Sequence, residues 1–160
     1  MTPVITHDPR AFAAAWATLP ADGPPTMRAA LLVDPTGFRV SEESATTNRY
    51  MQTSVLVDLE RAHAQHAAVG RLLRRVGLPV ITFPGREGLD DGVYPNNVFA
   101  TAHGRLIVGR MRHEVRRKEA AREDVRSLFT EAFGYELVDL SVTDCMAELT
   151  GVLAIDRRRD

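Results

Sequence analysis

The chain has 160 residues, enough for one domain with a real core, and its hydrophobic fraction of 44% against 26% charged residues is that of an ordinary globular protein. A formal net charge of -1 removes any whole-chain case for binding nucleic acid or an anionic membrane. No apolar run approaches the ~20 residues that span a bilayer, no signal segment opens the chain, and a single cysteine excludes an internal disulfide, so a cytoplasmic setting is expected.

Residues 1–26 read as a variable extension ahead of a domain covering residues 27–160. Asp8 is placed to cap a short helix through Phe12, Ala15, Trp16 and Leu19, with Pro9 at the first helical position, where its missing N–H costs nothing. Pro20 closes that helix, and residues 21–25 have linker composition. Residues 28–34 are short and nearly all apolar, which predicts a strand buried on both faces, and the following PTGF is a turn. Residues 39–53 are polar and irregular, with Ser41, Ser44, Thr46, Thr47 and Asn48 clustered, either as binding groups at a strand's end or as solvated connection.

From Asp58 a helix is predicted with Leu59, Ala62, His66, Val69, Leu73 and Val76 on one face, stopped by Gly77 and followed by a strand over residues 78–83. His63 and His66 lie one turn apart, but no second pair of ligands stands at metal-binding spacing, so one partly buried and one exposed histidine is expected.

The densest stretch runs from Leu89 to Glu119. Asp90, Asp91 and Gly92 form a loop, Pro95, Asn96 and Asn97 extend it, and residues 98–102 and 106–108 read as strands joined at His103-Gly104. Acids and amides held at a strand mouth suit a guanidinium or ureido group, whose planar nitrogens give forked hydrogen bonds. The same residues are also ordinary turn formers. A helix from about Arg112 carries Val115, Ala121, Val125, Leu128 and Ala132 on one side, Gly134 ends it, and residues 135–140 supply a strand. The basic run Arg110, Arg112, Arg116, Arg117 and Lys118 alternates with Glu114, Glu119, Glu123 and Asp124, which predicts a solvated face rather than a nucleic-acid surface. Strand, helix, glycine and strand thus occur twice in order, an internal repeat, and residues 152–155 read as a strand opening a third unit.

Three stretches together, DPTGF with its downstream Asn48, LDDGVYPNNVF and AELTGVLAID, resemble the guanidine-modifying enzymes of the pentein fold. The likeness is greatest to the amidinotransferase-like branch with citrulline hydrolases; dimethylarginine hydrolases and arginine deiminases stand further off. It covers about Arg28 to the end, as the N-terminal part of such a domain. The resemblance implies an α/β fold, a partial pentein α/β propeller of about two ββαβ modules plus the first strand of a third, out of the family's five. It implies hydrolysis of a guanidine or ureido C–N bond in an arginine- or citrulline-like amino acid by a cysteine thiolate, with a histidine and without metal or cofactor.

On the same basis Asp91, Asn96 and Asn97 bind substrate nitrogen. Asn97 stands where many relatives have Asp, which favours an uncharged ureido nitrogen. Glu148 is the catalytic acid that pairs with substrate nitrogen and supports the histidine, and Arg110, Arg116 and Arg117 lie in the segment near the substrate carboxylate. The family's histidine and late cysteine have no counterpart, and Cys145 precedes the Glu motif, so this chain alone is expected to be inactive. The alternatives are a non-catalytic half-propeller that binds a ligand, or one that self-associates through uncovered modules.

Overall fold

The computed structural model describes residues 5–18, 27–48, 50–51, 56–102 and 104–155. In chain order come β1 (Ile5–Thr6), α1 (Pro9–Ala17), β2 (Ala30–Val33), α2 (Glu42–Ala45), α3 (Leu59–Arg75) and β3 (Val80–Phe83). A 3-10 turn at Pro95–Asn97 leads into β4 (Phe99–Ala102), β5 (Arg105–Val108), α4 (Glu114–Ala120), α5 (Glu123–Ser127), a π turn at Leu128–Ala132, β6 (Glu136–Asp139) and α6 (Leu149–Val152). No described helix is long and apolar enough to cross a membrane.

The α/β class holds. The strands form two three-stranded sheets, ordered β1-β3-β2 and β4-β5-β6. In each, a strand crosses over through helix to a parallel neighbour, β2 to β3 and β5 to β6. The second sheet adds an antiparallel strand by the expected hairpin, in which Ala102 faces Arg105 and Gly104 takes φ +72. His103 lies outside the described residues.

Four expectations are corrected. The boundary at residue 26 does not separate the packing: β1 pairs with β3, and Phe12 of α1 is buried with Val33, Ile81, Phe83, Val125 and Leu128. Asp8 does cap α1, accepting the amide of Arg10 at 2.9 Å, whereas Pro20 and the linker lie outside the described residues. Strand β2 is not buried on both faces, because it is a sheet edge; the central β3 holds Val80 and Ile81 with no exposed surface.

Helix α3 turns a different face inward. Ala62, His63, His66, Gly70 and Leu73 are its covered positions, while Leu59, Val69 and Val76 are exposed. Gly70 is the buried position of this face and lies over Leu32 of β2. Last, the strand predicted at residues 152–155 is absent. Leu149 is buried against Gly109, and the bonds from Gly151 N to Glu148 O at 3.0 Å and from Leu153 N to Leu149 O at 3.1 Å wind the segment into a helical turn.

The helix expected from Arg112 begins at Glu114 and breaks at Ala121 and Arg122 into α4 and α5. Beyond the break, Val125 and Leu128 pack on the first sheet, while Ala120 joins Val98, Leu106, Val108 and Met111 over the second. Phe99 and Phe129 pack against both clusters, so the two repeats share a core, each fully buried aliphatic side chain contributing about 1.5–3 kcal/mol.

Candidate active site

The loop bearing Asp90 and Asp91 crosses beneath residues 39–47, and both acids are buried. Arg39 donates from Nε to Asp90 Oδ1 at 2.6 Å, and its amide reaches the Asp90 carbonyl at 3.3 Å. The Ser44 hydroxyl donates to Asp91 Oδ2 at 2.8 Å. From the same short helix, Glu43 accepts the amides of Glu114 at 2.8 Å and Val115 at 3.2 Å. Those amides are unpaired within α4, so the carboxylate caps it, and the two backbone bonds hold the Glu43 pKa below its ordinary 4.5. His113 sits between Glu43, at 3.5 Å, and the Thr47 hydroxyl, at 2.8 Å. The polar segment is therefore fastened across the site and is more than solvated connection.

Behind Asp91 lies Arg116, and here the expected solvated face is corrected. Arg116 and Glu119 are 7% and 3% exposed, because α4 turns this side of its basic run toward the loop at Asp91 and not toward water. Arg116 forks onto Glu119, Nε to Oε1 at 3.1 Å and Nη2 to Oε2 at 2.9 Å, and its Nη2 also reaches the Tyr94 carbonyl at 3.3 Å. Its Nε stands 3.9 Å from Asp91 Oδ2. Burial raises the Glu119 pKa above 4.5, opposed by Arg116 and reinforced by the Asp91 charge.

A second group gathers at the end of β5. Gly109 donates to Val98 O at 2.7 Å on one side, and on the other Arg110 makes an antiparallel bridge with Ala147. Space forces this arrangement, since a Cβ on Gly109 would stand 2.5 Å from the Ala147 carbonyl oxygen. The bridge brings Glu148 to the Arg112 amide at 3.1 Å and Thr150 to the 3-10 turn, where its hydroxyl donates to the Asn97 side-chain oxygen. Asn96 Nδ2 lies 3.5 Å from that oxygen, and Arg110 Nη1 donates to Ser141 O at 2.8 Å. Arg117 folds back on its own loop, bonding Met111 O at 3.0 Å and Arg112 O at 2.9 Å.

The six residues expected at the site thus fall into two adjoining groups. Asp91 joins Arg116, while Asn96, Asn97, Arg110 and Glu148 surround the end of β5, and residues 94–97 connect them through Tyr94 O, which also accepts the Asn97 amide at 3.3 Å. No bond links Asp91 directly to Glu148 among the described residues. Glu43 was not singled out from sequence, Ser44 was named only within the polar cluster of residues 39–53, and Glu119 only as a charge partner of the basic run. The signal for the first two was the Ser41-Glu-Glu-Ser44 helix start, with Ser41 capping Ser44 N at 3.2 Å.

Elsewhere, His63 pairs with Asp34 at 3.2 Å with its side chain 42% exposed, while His66 has its Nε2 buried, in line with the expected split. Burial lowers the His66 pKa below 6.5. Cys145 is exposed and its thiol contacts no histidine or cation among the described residues.

Comparison with known proteins gives the arrangement its relatives. An arginine dihydrolase from the ornithine-ammonia cycle in cyanobacteria, ArgZ, is similar at 19% identity and a TM-score of 0.60, over 74% of this chain and 17% of that one. Unliganded AgrE is similar at 21% identity and 0.60, over 74% and 16%. The N-terminal domain of ArgZ bound to product is similar at 18% and 0.56, over 74% and 41%. At these identities the likeness is one of fold, and the chain spans less than half of each of the three. Among curated proteins no sequence matches. The family described as N,N dimethylarginine dimethylhydrolase, eukaryotic, matches residues 34–160, which include every expected site residue. The chain therefore belongs to the N,N dimethylarginine dimethylhydrolase family.

Proposed function

We propose that this chain carries the substrate-gripping part of a hydrolase that cleaves a C–N bond of the guanidine or ureido group in an arginine- or citrulline-like amino acid. The observation that supports the proposal is that residues 94–97 join two polar groups, Tyr94 O accepting from Arg116 beside Asp91, and the Asn97 side chain accepting from Thr150 next to Glu148. Asp91 and Asn97 receive substrate N–H groups, Asn96 flanks them, and Glu148 pairs with substrate nitrogen and supports the histidine of the reaction. Arg110 takes the substrate carboxylate. Arg116 is already committed to Glu119 and acts as a counter-ion beside Asp91.

The thiolate and the histidine come from outside these 160 residues, in a five-module propeller whose first two modules are the two sheets described, and the setting is cytoplasmic. The exposed position of Cys145, without a basic partner among the described residues, supports its exclusion as the nucleophile. The test is an assay of ammonia and citrulline release from arginine, dimethylated arginine and citrulline. The chain is assayed alone, then with the remainder of a domain of this family added as a separate polypeptide. Activity that emerges only on mixing is expected; turnover by the chain alone, lost in Cys145→Ala, would refute the division of roles.

One observation favours a second reading, an assembly module. A groove of about 620 Å³ lies open along the edges of β2 and β4, lined by Trp16, Leu31, Phe99, Phe129, Phe133 and Tyr135. Uncovered strand edges beside aromatic surface are places where another chain adds. A clean monomer in light scattering at high concentration would remove self-association through this groove.

A further inference from the structure

Asp91, Arg116 and Glu119 are buried together, with side chains 8%, 8% and 4% exposed, and their charges do not balance. Around them stand charged groups that carry one positive charge in excess, because two arginines share Asp124, and Arg122 also acts on Glu119. Arg122 forks onto Asp124 at 3.0 and 2.6 Å, Arg86 reaches the same Asp124 at 3.2 Å, and Arg39 holds Asp90 at 2.6 Å. Within hydrogen-bonding reach, two carboxylates therefore share one guanidinium. Geometry decides which of them holds it. Arg116 gives both prongs of its fork to Glu119, whereas Asp91, held by the Ser44 hydroxyl, stands 3.9 Å from Nε. A bidentate pair at about 3 Å outweighs a single approach nearly 1 Å longer, so Arg116 belongs to Glu119 and Asp91 is left with the Ser44 hydroxyl as its near partner.

We propose that Glu119 is a positioning residue that sets ligand specificity: by occupying Arg116 it leaves the Asp91 carboxylate without a bidentate partner, a place for a cationic guanidinium to take. This rests on the reading of Asp91 as a substrate-gripping acid. Without the Glu119 carboxylate, Arg116 needs to move only about 1 Å to close on Asp91. The protein's own guanidinium then fills the place of a substrate guanidinium. A neutral ureido ligand loses little by this, whereas a cationic one loses its charge complement and meets a like charge. The same logic gives a pH dependence. Acid protonates Glu119, whose pKa burial raises, and arginine binding weakens with it while citrulline binding holds.

The test uses the full 160-residue chain. Glu119→Gln removes the charge and keeps the shape; Glu119→Met removes the acceptor as well. By NMR, the Arg116 Nε–H contact is expected to pass from residue 119 in the parent to Asp91 and Ser44 in the variants. By calorimetry, L-arginine affinity is expected to fall about tenfold in both variants while L-citrulline affinity changes less than about twofold. Adding Arg116→Gln to Glu119→Gln restores arginine binding, because the competing guanidinium is gone; a merely structural role for Glu119 predicts further loss. An Arg116 contact that stays away from Asp91 in both variants, or equal losses for arginine and citrulline, would overturn the proposal. Asp91→Ala separates the two levels. Arginine binding unchanged in that variant refutes the gripping role of Asp91, whereas the Arg116 contact is read without any ligand.

Discussion

Replacing Arg116 by methionine tests how the interior is held together. The change keeps roughly the volume of the side chain but leaves Asp91 and Glu119, 8% and 4% exposed, without their shared cation. Breaking a buried ion pair from one side costs about 3–5 kcal/mol, because the remaining charge is desolvated and unpaired. Here Ser44 still supports Asp91, so the residue most harmed is Glu119. For a chain of this size that loss lowers Tm by about 6–20 °C. The pH dependence has a definite sign. The Glu119 pKa is already raised in the folded state, so its stabilising contribution is present below 4.5 and is lost as pH rises through the folded value. Removing Arg116 raises that value further, so the deficit of Arg116→Met should be large near neutrality and shrink toward about pH 5. His66 has the opposite trend, its pKa lowered by burial, but it is common to both proteins and cancels in the difference. Urea unfolding followed by circular dichroism measures this. Arg116→Met/Glu119→Leu should recover at least about half of the loss, since an apolar residue removes the stranded charge. A single-variant cost below about 1 kcal/mol, or a deficit that grows on acidification, would refute the buried triad.

Gly109→Ala should detach the Glu148 segment, because the added Cβ meets the Ala147 carbonyl at 2.5 Å; hydrogen exchange should show faster exchange of the Ala147 amide, with β4 and β6 unaffected. Glu43→Gln should speed exchange at the Glu114 and Val115 amides, and acidification of the parent below 4.5 should do the same, since the depressed Glu43 pKa makes its contribution present above that value and lost below it. Asp91→Ala in the chain mixed with the remainder of a domain of this family should raise KM strongly and disturb the thermal midpoint less than Arg116→Met; unchanged kinetics would remove the proposed role of Asp91.

The periodic parts of the chain were legible in the sequence. Residues 78–83, the hairpin about Gly104 and residues 135–140 became β3, β4 with β5, and β6, because alternation, glycine and chain order act locally. What failed depended on distant partners. Residues 1–26 were set aside as variable, yet Phe12 is core, since β3 offers β1 a parallel edge that no local signal announces. In α3, the apolar spacing pointed at Val69 and Val76, whereas the sheet covers Ala62, His66, Gly70 and Leu73. At the site, charge alternation in residues 110–124 read as solvated, but the fold buries Arg116 with Glu119 against Asp91, three residues whose meeting depends on a loop laid over a helix. The short helix at Leu149–Val152 likewise owes its form to the space beside Gly109.

The claim that residues around Asp91 and the end of β5 form one substrate-gripping surface is tested most directly by NMR titration of the isotope-labelled chain with L-arginine and L-citrulline. The amides of residues 91–97, 110–112 and 147–150 should shift together with a single apparent affinity, and Asp91→Ala should abolish the arginine response. Shifts confined to the aromatic groove at Trp16, Phe133 and Tyr135, or none at millimolar ligand, would contradict the account.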